Sequence, residues 1–251
     1  MSDDTLGKVL GTIAGFAGLG MVGAMLVNRR GGSAVNPYGH VLENPKAYGG
    51  VHPLSLEAFV LKANPALAAS EEVITSRRTC RPVVAQLLFE LVRSRNLKKG
   101  DEVLDVGAGR FDLGKEYLNS RGIVSIPYDP YNRTEEENQR ALDVAIRGDV
   151  DACLCSNVLN VVRDPVHRAH VVWLCAQSVR FTGGKSSAWF AIWEGTKSGK
   201  GKLYAGDMWQ ENRKASTYLK EIRPYFHYVE PRILYGLTVI QASCPKLDES
   251  P

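Results

Sequence analysis

Asp101-Glu102-Val103-Leu104-Asp105-Val106-Gly107-Ala108-Gly109-Arg110-Phe111-Asp112 is the stretch that decides the fold. An apolar run ends in an acid, two glycines follow at alternate positions, and a helical pattern begins, so the segment reads as strand, turn and helix. Gly107 and Gly109 lack the Cβ atoms that hold a backbone away from a nucleotide-like ligand. The helix after the turn points its free N–H groups at the same place. A second apolar run, Ile123 to Tyr128, ends in Asp129, which stands 22 residues after Gly107. That spacing suits a carboxylate at the neighbouring strand end accepting hydrogen bonds from ribose hydroxyls.

Outward from this core, βα alternation continues. Val83, Val84, Leu87, Leu88, Leu91 and Val92 recur at helical spacing behind Thr79 and Arg81-Pro82, predicting a helix that begins near the proline. Further helices are expected over Thr134–Ile146, from Asp164-Pro165 onward, and over Lys214–Arg223. Strands are expected at Val150–Ser156, Ser187–Trp193, His227–Glu230 and Leu237–Ala242. The expectation is an α/β, Rossmann-like, mostly parallel sheet with helices on both faces. Ligands of such sheets sit at the carboxyl ends of the strands. Those ends carry Asn157 and Asn160 after one strand and Glu194-Gly195 after another.

The chain has 251 residues, 44% hydrophobic and 23% charged, which suits one α/β domain with an extension. A net charge of +4 permits nucleic-acid contact without demanding it. Five scattered cysteines do not form a disulfide framework; Cys153 and Cys155 read as buried thiols on one strand face, and imply a reducing compartment. His40, His52, His167, His170 and His227 show no metal-ligand pattern.

Val9 to Val27 is 19 residues without a charge, preceded by Asp3 and Asp4 and followed by Asn28-Arg29-Arg30. Its length of roughly 28 Å as a helix approaches a bilayer's hydrocarbon thickness. Gly7, Gly11 and Gly15 repeat at the interval that lets membrane helices approach closely. Two readings stand: a membrane anchor holding the rest at the cytoplasmic face, or a glycine-rich helix self-associating through residues 7–27 in a homo-oligomeric assembly. The organisation expected is therefore a hydrophobic helix over 1–30, a proline-interrupted linker or arm over 31–75, the α/β domain over 76–243, and a tail over 244–251.

The glycine turn separates two cofactors. A dinucleotide site has G-x-G-x-x-G, but the third position here is Asp112. Together DVGAG at 105–109, YDPYN at 128–132, SNVLNVV at 156–162 and the run from Trp193 to Leu219 resemble class I S-adenosylmethionine (SAM) methyltransferases, of a mostly phage- and plasmid-borne group. The resemblance covers about Thr75 to Ser243, and departs from the pattern at Phe111, where a third glycine is common. It implies SAM as cofactor, with Asp105, Gly107, Ala108 and Gly109 around its methionine end, Asp129 on the ribose and Tyr131 near the adenine. Asn157 is a candidate both for the cofactor and for holding a nucleophilic amine, since an amide donates and accepts. Asn160 reads rather as a turn cap. Asp129-Pro130-Tyr131-Asn132 imitates an amino-methylating DNA-enzyme motif but follows the wrong strand.

Glu194 is a candidate base. The basic loop from Glu194 to Lys202 offers lysines to phosphates, although a loose solvated loop has the same composition. Trp209 is the exposed-looking aromatic of the following segment. The expected activity is methyl transfer to an unidentified acceptor, nucleic acid somewhat favoured. The alternatives are a degenerate methyltransferase fold used as a membrane-associated or virion structural protein, and a nicotinamide oxidoreductase disfavoured by the glycine spacing.

Overall fold

The computed structural model describes residues 83–180, 186–204 and 208–246, together with strand positions 34–35 and 41–42. Val9–Val27, Thr79, Cys80 and most of the 31–75 arm lie outside the described residues. In the amino-terminal unit, β1 (Ala34–Val35) and β2 (Val41–Leu42) form a short antiparallel pair.

In the larger unit, β3 (Glu102–Val106), β4 (Val124–Tyr128), β5 (Ala152–Ser156) and β6 (Ser187–Ala191) are parallel. A two-stranded ribbon follows, β7 (Lys202–Tyr204) with β8 (Met208–Gln210). The chain closes with β9 (Phe226–Leu234) and β10 (Leu237–Pro245), antiparallel to each other, and β10 is antiparallel to β6. The main sheet runs in the order β4-β3-β5-β6-β10-β9. Its outer strands each contain a proline, Pro127 in β4 and Pro231 in β9. A residue with no N–H cannot serve a neighbour on both sides, so these prolines suit the ends of the sheet. Tyr235 and Gly236, both at positive φ (48° and 91°), form the tight turn that joins β9 to β10.

Among the described residues five α-helices accompany the sheet: α1 (Gln86–Arg93), α2 (Leu113–Asn119), α3 (Glu135–Arg147), α4 (Pro165–Ser178) and the single turn α5 (Leu219–Ile222). Leu87, Leu88 and Leu91 of α1 and Leu118 of α2 pack with Val103, Leu154, Trp189 and Val239 into one core. Residues of opposite parity, including Leu104, Cys153, Cys155 and Phe190, are equally buried. There Cys175 of α4 lies against Cys153 and Cys155, and burial pushes its thiol up. Strands buried on both faces explain the unbroken apolar runs of β5 and β6.

Several boundaries differ from expectation. Helix α1 starts at Gln86 rather than near Arg81-Pro82, because Ala85 is extended (ψ 136°) and Val83 and Val84 precede the helix. The helix expected over Lys214–Arg223 is broken into 3-10 turns at Ala215–Tyr218 and Arg223–Tyr225 around α5. Pro224 removes the N–H that would have continued it. Val150 contributes only an isolated bridge to Val179, and β9 continues four residues beyond Glu230. The α3 start matches its capping box, with Thr134 and Glu137 bonded reciprocally. The α4 start matches too: Asp164 accepts from Val166 N at 2.8 Å and Pro165 holds the first turn.

Candidate functional site

The order of strands reverses at β3: the chain moves outward to β4 and then returns to β5 on the other side. The carboxyl ends of β3 and β5 therefore flank a crevice, the usual ligand position in such sheets. Asp105, the 107–109 turn and Asn157 all come to this crevice.

The turn has two left-handed positions, Gly107 (φ 77°) and Gly109 (φ 71°). Gly107 and Ala108 donate to Tyr128 O at 2.8 and 3.2 Å, which ties the turn to the end of β4. The space that a Cβ on Gly107 would enter is filled by the side chain of Val158, so that glycine admits a neighbouring side chain of the protein itself.

Asp129 is 3% exposed, and its carboxylate is engaged within the two loops. Oδ2 accepts from Gly109 N at 3.0 Å. Oδ1 accepts from Tyr131 N at 3.0 Å and from the backbone and side-chain amides of Asn132, each at 3.1 Å. Asn138 brackets the same residue, accepting from Asp129 N at 2.9 Å and donating to Asp129 O at 3.0 Å. Asp129 thus braces the glycine turn against the loop after β4. Tyr131 lies in that braced loop, half-buried.

Arg133 completes the brace, and sequence reasoning did not single it out. Its guanidinium donates to Gly109 O and Asp112 Oδ1, and to Phe111 O at 2.9 Å. The Arg133 contact holds the Asp112 carboxyl below the usual range. Phe111, where a third glycine is absent, is held by its carbonyl and leaves its ring partly exposed. The sequence signal for Arg133 was only its position in the loop opposite the turn.

Asp105 differs from all of these. It lies on the same sheet face as Leu154 and Trp189, and its Oδ2 stands 4.0 Å from where a Cβ on Gly114, in the first turn of α2, would lie. Among the described residues nothing donates a hydrogen bond to it. Burial pushes its carboxyl up to about 7; Arg133 pulls it down and Asp129 adds to the rise. Part of the residue's surface stays open. An enclosed, unpartnered carboxylate facing a crevice is a ready counter-charge for a cationic amine.

Asn157 is at φ 58°, an unusual conformation that asparagine tolerates best among the non-glycine residues. Its N–H donates to Ala191 O at 2.8 Å, while its side chain is exposed at the crevice. Asn160 is 1% exposed and serves packing: its Nδ2 donates to Gln210 Oε1 at 3.1 Å and its carbonyl accepts from Glu211 N at 2.7 Å.

Glu194 is spoken for. Oε1 accepts from Ala215 N at 2.7 Å and Oε2 meets Lys197 Nζ at 2.8 Å. Lys197, with the Ala215 N–H, holds the carboxyl below the usual range, the reverse of what a general base needs.

The described parts of the segment from Trp193 to Arg213, residues 193–204 and 208–213, are knit together rather than loose. Asn212, 3% exposed, accepts from Thr196 N at 3.2 Å and donates to Lys200 O at 3.1 Å, and its carbonyl accepts from Gly199 N at 2.7 Å. Gln210 Nε2 donates to Trp193 O at 3.1 Å. Trp209 is half-buried: its ring covers Gly201, its Nε1 donates to Glu211 at 3.3 Å, and Arg163 lies 5.0 Å from its centre. The exposed tryptophan is Trp193, at 61%.

Among the described residues no group of three or more metal-ligating side chains occurs, and no helix is long and apolar enough to cross a membrane.

No family model and no curated relative matches the chain. Among solved structures it is similar to a 1,6-didemethyltoxoflavin-N1-methyltransferase of Burkholderia thailandensis, crystallised with S-adenosylhomocysteine. Identity is 15%, TM-score 0.46, and coverage is 88% of this chain and 98% of that one. It is also similar to a sugar N-methyltransferase of a Streptoalloteichus species, at 12% identity, TM-score 0.44, covering 66% and 89%. A SAM-dependent methyltransferase of Methanosarcina mazei gives 13% identity and TM-score 0.41, covering 61% and 97%. Likenesses this shallow assign no residue and no substrate.

Proposed function

We propose that the chain is a SAM-dependent methyltransferase whose cofactor lies across the carboxyl ends of β3 and β4, with the acceptor entering beside Asn157. The observation that carries the reading is Asp105: a carboxylate with no hydrogen-bond donor among the described residues, pushed up to about 7 by burial, beside a double-glycine turn at the reversal of strand order.

SAM fits this chemistry because its amino-acid end carries an ammonium group that would neutralise Asp105, and its ribose end would lie toward the braced loop. When bound, SAM supplies a methyl group on a positively charged sulfur. The residues of the chain then bind and orient. Asp105 would hold the ammonium group as an ion pair, where a charge-assisted hydrogen bond is strong. Gly107, Ala108 and Gly109 would give backbone close to the cofactor, and Asp129 and Arg133 keep that backbone in place. Tyr131, in the braced loop, would stand on the adenine side. Asn157 offers its amide oxygen to an N–H of the acceptor and so aligns a nitrogen nucleophile, with rate gained through orientation. Glu194 is a brace for the 193–215 segment rather than the proton acceptor.

Calorimetric titration with SAM and, in parallel, with NAD tests the reading. Saturable SAM binding that is lost in Asp105→Ala, with no heat from NAD, is expected. A protein that takes up no SAM is not this enzyme.

A further inference from the structure

We propose that Trp193 and the β7–β8 ribbon form a binding surface for single-stranded nucleic acid, which presents one base to Asn157. The fate of that base rests on the methyltransferase reading; the binding itself does not.

Trp193 follows β6 at the carboxyl edge of the sheet, two residues beyond the carbonyl that accepts from Asn157 N. Its backbone is fixed by Gln210, yet 61% of the residue is in solvent. A large indole on an anchored backbone, open to water, is a stacking platform in want of a planar partner. On the neighbouring strand end, tied to β6 at Ala191, the exposed Asn157 amide has no side-chain hydrogen bond among the described residues, so its donor and acceptor atoms suit the polar edge of such a ring. A base stacked on Trp193 and bonded at its edge by Asn157 would bring an exocyclic amine to the crevice.

The surrounding charge suits a polyanion. Lys197 is neutralised by Glu194, and Glu211 is engaged by Trp209 and lies 3.6 Å from Arg168. Arg163, Lys200 and Lys202 have no carboxylate partner among the described residues. Lys202 stands 5.1 Å from the exposed Tyr204 ring, and Arg163 covers Trp209. Basic groups interleaved with aromatic rings bind a single strand by combining phosphate contacts with stacking. Asn212 and Gln210 fix this surface before any ligand arrives, which lowers the cost of ordering it on binding. A duplex, with its bases paired and stacked, cannot offer a ring to Trp193.

The test uses the full chain and fluorescein-labelled 20-mers of mixed sequence, as RNA and DNA, single-stranded and duplex, read by fluorescence polarisation. Single strands should bind more tightly than duplexes. Trp193→Ala should weaken binding about tenfold or more, whereas Trp193→Phe should retain most of it. Lys200→Gln with Lys202→Gln should flatten the dependence of log K on log salt by about 1.4 for two lost single-strand phosphate contacts. S-adenosylhomocysteine binding, measured on the same samples, should be unchanged in every variant. The proposal is overturned by absence of single-strand binding, by equal or tighter duplex binding, or by indifference to Trp193→Ala and the lysine pair. Loss of cofactor binding by the unmodified chain would sink the methyltransferase reading while leaving the oligonucleotide result to stand by itself.

Discussion

The backbone N–H of Gly109 donates to Asp129 Oδ2 at 3.0 Å, joining the turn after β3 to the loop after β4. Two segments 20 residues apart in sequence therefore move as one piece. The carboxylate that accepts this bond also takes three from Tyr131 and Asn132.

Asp129→Ala should accordingly cost stability as well as binding. Removing a buried carboxylate that satisfies several N–H groups costs about 3 kcal/mol. For a domain of this size that lowers Tm by on the order of 6–12 °C. Thermal unfolding followed by circular dichroism measures it; a Tm within a degree of the parent would mean that the brace is dispensable.

Asp105 makes the opposite prediction for stability. Its folded-state carboxyl, up at about 7, lies above its ordinary value of 3.8. The folded protein then binds more protons than the unfolded chain between these values. This contribution to stability is fully present below 3.8 and is lost as pH rises through about 7. Asp105→Asn should therefore raise the Tm of the ligand-free protein at pH 8 while abolishing cofactor binding. Binding of S-adenosylhomocysteine by the unmodified chain should weaken about tenfold for each pH unit below 7, because only the ionised carboxylate pairs with the ammonium group. A flat calorimetric pH profile would contradict the assignment.

Gly107→Ala should fail for two separable reasons: positive φ, and the Val158 side chain in the way of the new Cβ. Backbone strain of this kind costs about 1–3 kcal/mol and overpacking costs a similar amount. Adding Val158→Ala should recover the steric part only. A double-mutant cycle on urea-unfolding free energies reads the coupling, and strict additivity would show that the two residues do not meet.

Arg168 ties the start of α4 to the segment that carries the ribbon. It bonds Glu221 at 2.8 Å and the carbonyls of Val162 and Arg163, both at 2.8 Å, while Arg213 bonds Glu221 at 2.7 Å. Burial opposes ionisation of Glu221, but the two arginines win and hold its carboxyl below the usual range. Its contribution to stability is present above pH 4.5 and is lost as pH falls through the lower folded-state value. Glu221→Gln takes the carboxylate from Arg213 and leaves Arg168 only Glu211 at 3.6 Å, and should cost about 3 kcal/mol at pH 7. The difference from the parent should shrink in acid, as followed by urea unfolding at pH 7 and pH 3.

Much of the fold was legible because local chemistry and tertiary structure agreed. Thr134 with Glu137 and Asp164 with Pro165 mark helix starts by bonds made within a few residues. The apolar runs of β3 to β6 needed only their own composition to be seen as strands. The β7–β8 ribbon was missed because β7 is exposed along its whole length and the chain before it is anchored from a distance, by Asn212 at Lys200 O and Gln210 at Trp193 O. The same dependence hid the roles of the tryptophans. Trp209 has the more polar neighbours in sequence but is covered by Arg163 and Gly201, while Trp193 ends a buried strand and emerges into solvent.

By itself the sequence determined a strand–turn–helix at 102–119, the α/β alternation around it, and the set of polar residues delivered to the strand ends. Periodicity, caps and glycine are local properties, and they are written in neighbouring residues. The tertiary structure decided what those polar residues do: Asp129 braces, Glu194 caps, and among the described residues the Asn157 side chain and the Asp105 carboxyl are left without a hydrogen-bond partner, Arg133 acting on Asp105 only through its charge. Hydrogen bonding and burial at those positions come from segments 20 to 50 residues away, as in Gly109 to Asp129 and Asn160 to Gln210. Ionisation and availability follow from that surrounding protein, and no local pattern encodes it.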